Sequence, residues 1–180
     1  MDVRKISKRL ANYDEVVRVY EEAFPAYERF PMWLILLLSK FKGNDFLAFY
    51  DDGNFVGLAN AYESKKTVYI LFLAVNGAVR SKGYGSKILN WLKQNYPNKT
   101  LFLSVEPDDA EASNAEQRKR RFAFYRKNGF VDTGCYIKDY AGVFTVLSTD
   151  MNFSPENSLS CLQKLFLRIR KIERLPDQNS

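Results

Sequence analysis

A chain of 180 residues that is 46% hydrophobic and 15% aromatic, with 14 Phe and 11 Tyr, has the size of one domain and the means to fill a core. Disorder over most of its length is excluded. It has no histidine, which removes imidazole acid–base chemistry, His-based triads and His-ligated metals. Its two cysteines, Cys135 and Cys161, lie far apart and offer neither a disulfide framework nor a zinc site, so no metal is expected. A formal net charge of +6 suits anionic partners: nucleic acid, a membrane surface or a phosphorylated cofactor.

The start of the chain, Met1 to Lys5, is followed by no apolar segment of the signal-peptide kind. The longest apolar run, Met32 to Leu38, is far short of the roughly 20 residues that span a bilayer. The expectation is a soluble, cytoplasmic protein with reduced thiols.

In chain order, Val3 to Ile6 alternates like a strand, and Asn12-Tyr13-Asp14 opens a helix carrying Val16, Val17, Tyr20 and Phe24 up to Pro25. A second helix follows Pro31, its Met32–Leu38 run expected in the core or lining a cleft. Phe46 to Tyr50 and Phe55 to Tyr62 flank Asp51-Asp52-Gly53-Asn54, a hairpin signal. Thr67 to Val75 is a third, continuously apolar strand. A loop rich in glycine and cations, Asn76 to Gly85, leads into a helix with Ile88, Leu89, Trp91 and Leu92 on one side. Leu101 to Val105 is a strand, Asn114 to Asn128 a basic helix closed by Gly129, and Phe130 to Ile137 and Val143 to Leu147 are strands, with Cys135 expected buried. After Met151, Leu162, Leu165, Phe166, Ile169 and Ile172 recur at helical spacing among basic residues. The order predicts an α+β fold, a mixed sheet with helices on its faces.

The chemistry concentrates between Leu71 and Ser86. A strand enters a loop with two glycines and then a helix N-terminus, whose unpaired N–H groups and dipole bind phosphate. Gly83 and Gly85 let the backbone approach an anion, and Arg80 and Lys82 add charge. The P-loop pattern is absent, and a GxGxxG fingerprint fails at Ile88. Arg80-x-x-Gly83-x-Gly85, five residues after Val75, together with Phe124-Tyr125-Arg126-Lys127-Asn128-Gly129-Phe130, resembles the two signatures of the GNAT superfamily of acyl-CoA N-acyltransferases. The resemblance covers about Val3 to Thr149.

The resemblance implies a GNAT-type fold, with a central, mostly antiparallel, twisted sheet flanked by helices. It implies an N-acetyltransferase domain over 1–150, a tail over 151–180 with one amphipathic basic helix, and acetyl-CoA as cosubstrate with CoA as product. Leu73 and Val75 would pair with the pantetheine arm, and Ser81, Lys82, Gly83, Tyr84, Gly85 and Ser86 would hold the pyrophosphate beside Arg80. Tyr125 would serve the departing thiolate. Where the family often has Asn, seven residues before the Tyr, this chain has Arg118; Asn114 takes that role from a displaced position, or nothing does. The amine would attack directly, with Glu106 as the first candidate for its proton and Glu28 the second. Tyr27, Glu28, Tyr62, Tyr136 and Tyr140 are candidates for the acceptor lining.

Two other classes stay open: a catalytically silent acyl-CoA-binding domain, and a basic module for nucleic acid or membrane. Arg118-Lys119-Arg120-Arg121 spreads around its helix without interleaved aromatics, which reads as a solvated face and sets nucleic acid aside. The tail reads as packing on the domain or on a second subunit rather than on a membrane. A free sheet edge or the tail could support a homodimer.

Overall fold

The computed structural model describes residues 1–80, 82–139, 142–156, 158 and 172–174. Among these, the first half of the chain carries β1 (Asp2–Lys5), α1 (Tyr13–Ala23), α2 (Met32–Leu38), β2 (Asn44–Asp51), β3 (Asn54–Glu63) and β4 (Thr67–Val75). The second half carries α3 (Tyr84–Asn95), β5 (Thr100–Val105), α4 (Ala115–Lys127), β6 (Val131–Asp139), β7 (Gly142–Ser148) and β8 (Ile172–Arg174). The predicted order therefore holds up to β7. The chain forms two compact units, one of Met1–Glu63 with Ile70–Pro97 and one of Ser64–Tyr69 with Asn98–Ser180, so that β4 contributes to both.

In the first unit the strands are hydrogen-bonded in the order β1-β2-β3-β4. The β2–β3 hairpin is antiparallel and closes through Asp52 (φ 50) and Gly53 (φ 77), the paired positive φ values of a tight two-residue turn. Because side chains alternate across a strand, Phe46, Ala48, Tyr50, Leu58, Phe72 and Ala74 share one core cluster with Val16, Val19 and Tyr20 of α1. Each large apolar side chain enclosed there is worth about 1.5–3 kcal/mol. Phe72 is edge-on to Tyr20 at 5.0 Å and to Phe24 at 4.8 Å. The Tyr20 hydroxyl accepts from the Phe30 N–H at 2.9 Å and donates to its carbonyl at 3.1 Å, which fixes the loop between α1 and α2.

The Met32–Leu38 run, expected in the core or lining a cleft, enters the core only in part. All seven residues of α2 are apolar, but a helix against a sheet buries only one stripe: Ile35 is fully buried, and Met32 and Leu36 pack partly buried against the same core. Trp33 and Leu37 are exposed.

On α3, Ile88, Leu89 and Leu92 are buried. Gly57 of β3 makes this seating possible. A Cβ there would collide with the Ala74 carbonyl and lie 2.9 Å from Ile88 Cδ1. The bare backbone is what lets α3 come down onto the strands.

In the second unit the order is β4-β5-β7-β6-β8. β7 pairs antiparallel with β5 (Leu103↔Leu147) and with β6 (Val131↔Ser148). Phe102 packs against Tyr69 at 4.9 Å and Phe153 at 5.2 Å. Cys135 is a buried strand residue. Ile172, which the spacing puts on a tail helix, is instead in β8, paired with Ile137. Its β-branched side chain suits a strand, and pairing with β6 overrides the local helical period. Leu162, Leu165, Phe166 and Ile169 of that pattern lie outside the described residues. No described helix is long and apolar enough to cross a membrane.

Candidate functional site

The first unit carries a continuous strand–loop–helix passage. Phe72 and Ala74 of β4 point into the core, while Leu73 and Val75 are half-buried. The chain leaves β4 at Asn76, whose side chain is buried and fully engaged. Its Oδ1 accepts from the Ala78 N–H at 3.2 Å, and its Nδ2 donates to Glu15 Oε1 and to the Phe55 carbonyl, both at 3.0 Å. Glu15 belongs to α1, so that helix holds the start of the loop. The sequence reading passed over Asn76; its one signal is an Asn-Gly pair just after a strand, a composition that favours Asx-type turns.

The loop then makes a short 3₁₀ turn over Gly77–Val79 and reaches Gly83 at φ 76, a left-handed conformation that costs other residues about 1–2 kcal/mol. Gly83 holds the N-cap position of α3, and no side chain hydrogen-bonds the first turn from it. The N–H groups of Tyr84, Gly85 and Ser86 begin the helix, where geometry provides no intrahelical acceptor. Gly85 is buried and Ser86 half-buried. Arg80 and Lys82 are exposed and form no ion pair among the described residues. Ser81 lies outside the described residues.

Lys87, one turn in, is committed elsewhere. Its Nζ reaches Asp51 Oδ2 at 3.3 Å, at the end of β2, and lies 4.7 Å from the Tyr84 ring centre. Hydrogen bonds from Lys87 and Tyr84 hold the Asp51 carboxyl below its ordinary range. Partial burial and the same Asp51 push the Tyr84 phenol up. This node ties the first turn of α3 to the β2–β3 hairpin.

The second unit gathers a different set of residues. Glu106 follows directly on β5, and its side chain is only 16% exposed. Its Oε1 accepts from Arg118 Nη2 at 2.9 Å, and its Oε2 accepts from Arg121 Nη1 at 2.9 Å and Asn114 Nδ2 at 3.3 Å. Arg118 Nε in turn donates to Asn114 Oδ1 at 2.7 Å, and its Nη1 donates to the Pro107 carbonyl at 3.2 Å. The basic run thus divides by helical spacing. Arg118 and Arg121, three apart, turn inward to Glu106, while Lys119 and Arg120 stay exposed.

Tyr125 sits in the last turn of α4 and is 9% exposed. Its ring meets Phe124 at 5.1 Å and Phe130 at 5.7 Å. After Lys127 the chain reverses through Gly129 (φ 74), and the Phe130 N–H reaches the Tyr125 carbonyl at 3.0 Å. The aromatic, glycine and second aromatic of this stretch are one helix-ending device that encloses the phenol. Burial pushes Tyr125 up to about 12, with Arg121 pulling the other way. Its hydroxyl makes no hydrogen bond among the described residues.

The remaining candidates are placed as follows. Tyr27 is exposed and Glu28 half-buried in the loop between α1 and α2, where the Glu28 N–H bonds the Pro25 carbonyl at 3.0 Å. Tyr62 is enclosed in β3, and Tyr136 is half-buried in β6. Tyr140 lies outside the described residues.

The family model described as the Acetyltransferase (GNAT) family matches residues 12–130. The chain belongs to the GNAT family. Solved structures resemble most of this GNAT chain. A protein from Bacteroides thetaiotaomicron assigned to the same family superposes with a TM-score of 0.72 at 19% identity, covering 92% of this chain and 96% of the other. The aminoglycoside 6'-N-acetyltransferase from Enterococcus faecium gives 0.63 at 14% identity, covering 86% and 99%. A GNAT family acetyltransferase from Elizabethkingia anophelis, with acetyl-CoA bound, gives 0.58 at 14% identity, covering 83% and 97%. At these identities the likeness is one of fold, and the GNAT fold is the one observed. No curated protein matches the chain in sequence.

Proposed function

We propose that this GNAT chain is an acetyl-CoA-dependent N-acetyltransferase, in which a primary amine attacks the thioester directly within a ternary complex. The observation that carries the reading is the passage out of β4: a left-handed Gly83, an uncapped helix N-terminus and two exposed cations, Arg80 and Lys82, in immediate succession. Such a terminus favours a diphosphate through its N–H groups and its dipole. In this reading the amides from Ser81 to Ser86, Lys82, Tyr84 and Gly85 included, hold the pyrophosphate. The backbone of Leu73 and Val75 pairs with the pantetheine arm.

The chemistry then asks little of the protein. A C–N bond forms as the C–S bond breaks, the amine loses a proton, and CoA leaves as the thiolate. A phenol pushed up to about 12 stays protonated at neutral pH and remains a donor. Complete transfer of its proton to a thiolate of ordinary pKa, about 8.5, would run uphill by about 5 kcal/mol. Tyr125 therefore supports the thiolate by a hydrogen bond rather than by giving up its proton. Glu106, with three donors on its two oxygens, keeps one acceptor position of about four to take the amine proton through water, and Glu28 is the second candidate. Asn114 acts here by holding Glu106 and Arg118. In the first unit, Tyr27 and Glu28 offer an aromatic and acidic character that suits a cationic amine.

The test is a thermal-shift titration with acetyl-CoA and CoA, comparing the wild type with Gly85→Val. At 100 times its dissociation constant a ligand specific for the folded state adds about 2.7 kcal/mol. A saturable shift that the variant loses, followed by amine-dependent thiol release, supports the reading. No shift from either compound overturns it.

A further inference from the structure

Part of the apolar surface of α2 is not used by the fold. Trp33 is 63% exposed, Leu37 45% and Phe41 64%. They recur every four residues, and the winding continues past Leu38 because Lys40 and Phe41 N–H groups reach the Leu37 and Leu38 carbonyls at 3.2 and 3.0 Å. Trp33 and Leu37 thus lie one turn apart on α2, and Phe41 stands exposed in the turn that closes it. Exposed Trp, Leu and Phe this close together on a surface element mark a contact surface.

The charges around these side chains point to their partner. Lys40 and Lys42 flank Phe41, are exposed, and form no ion pair among the described residues. No Asp or Glu occurs between Glu28 and Asp45. The pairing of β1 with β2 runs on to Ile6, whose N–H bonds the Phe46 carbonyl at 2.8 Å. Exposed Lys8 and Arg9 thus leave β1 at the same end of the strands at which Lys40 and Lys42 lead into β2. The acids at that end are Glu63 and Asp45, and Asp45 is already engaged by Lys5 at 2.9 Å and by the Tyr96 hydroxyl at 2.7 Å. Apolar anchors are here bordered by four exposed cations, Lys8, Arg9, Lys40 and Lys42, that form no ion pair among the described residues.

We propose that α2 and the turn after it dock on an anionic lipid surface. Trp33, Leu37 and Phe41 enter the headgroup–acyl boundary while Lys40, Lys42, Lys8 and Arg9 meet the lipid charges. A second copy of the chain fits the same face less well. A two-fold interface sets a patch against itself, so each Lys40–Lys42 pair would meet its own like. A lipid surface supplies the opposite charge.

The test is sedimentation with phosphatidylcholine vesicles and with vesicles in which phosphatidylserine replaces about a third of the lipid, near the composition at which each lysine adds about fivefold to partitioning. The full chain is expected to sediment with the second and not with the first, and salt should release it. Lys40→Gln with Lys42→Gln should weaken partitioning by about 25-fold, and Phe41→Ser should abolish it. Trp33 emission should shift to the blue on binding, and Trp33→Phe should lose that shift while still sedimenting. The exposed variants should keep the wild-type thermal midpoint and acetyl-CoA shift, which separates this result from the fate of the acetyltransferase reading. Absence of binding to anionic vesicles overturns the proposal. So does a blue shift that survives Trp33→Phe, or a concentration-dependent doubling of mass in light scattering that Phe41→Ser removes without any vesicle binding.

Discussion

Glu106 and Arg118 are joined at 2.9 Å across the gap between the end of β5 and the first turns of α4, and Arg118 reaches Asn114 through its Nε at 2.7 Å. One carboxylate thus receives two guanidiniums and an amide, and the helix that carries Tyr125 is held at the turn before it begins. Glu106→Gln would leave Arg118 and Arg121 without their shared counterion. The expected cost is about 2 kcal/mol, a fall in thermal midpoint of about 4–8 °C. If Glu106 also takes the amine proton, kcat falls and the acidic limb of its pH profile disappears. If it only positions α4, kcat falls with the profile unchanged in shape.

Tyr125→Phe should leave acetyl-CoA binding within about twofold of wild type and lower kcat by about 10²-fold, the effect of removing one donor from a developing anion. Because burial holds the phenol at about 12, the wild-type rate should show no loss assignable to Tyr125 up to pH about 10, where an ordinary phenol ionises. A rate that falls with a midpoint near pH 10, and no longer does so in Tyr125→Phe, would contradict this.

Alkaline stability follows from the same shift. Tyr62 is also pushed up to about 12 by burial, with Asn44 offsetting part of the effect without the geometry of a hydrogen bond. A pKa raised in the folded state means that the folded chain holds its proton longer than the unfolded one. The stabilisation is complete below pH about 10 and is lost as pH rises through about 12, by roughly 3 kcal/mol for each tyrosine. Urea titrations between pH 9 and 12 should show a steep fall that Tyr62→Phe and Tyr125→Phe each make shallower. At pH 7, Tyr62→Phe should cost little or stabilise, because its enclosed hydroxyl has no partner among the described residues.

Gly57→Ala tests how α3 is seated. The added methyl would meet the Ala74 carbonyl and the Ile88 side chain, so the strand or the helix must move. Overpacking of this kind costs about 1–3 kcal/mol, and the acetyl-CoA thermal shift should shrink because the displaced helix carries the loop's N–H groups. Gly53→Ala, strained only by its left-handed φ and with open space around it, should leave the ligand shift intact.

Much of this protein was legible in local pattern. Alternation gave the β2–β3 hairpin, and the Asp52-Gly53 pair gave its turn, because both are set by neighbours in sequence. The glycine loop before α3 and the aromatic-glycine ending of α4 were readable for the same reason: Gly83 and Gly129 mark backbone conformations that other residues rarely adopt. Tertiary packing decided the rest. An apolar run such as Met32–Leu38 says nothing about how much neighbouring surface exists to cover it, and here Ile35 is enclosed, Met32 and Leu36 are covered in part, and Trp33 and Leu37 are left exposed. Ile172 fits a helical period or a strand equally well until β6 offers it hydrogen-bond partners. Gly57 has nothing around it in sequence to distinguish it from any glycine in a strand. Its importance lies in Ala74 and Ile88, distant in the chain and brought close only by folding. The partners of Glu106 are likewise a matter of distance in space, which spacing along a single strand or helix does not encode.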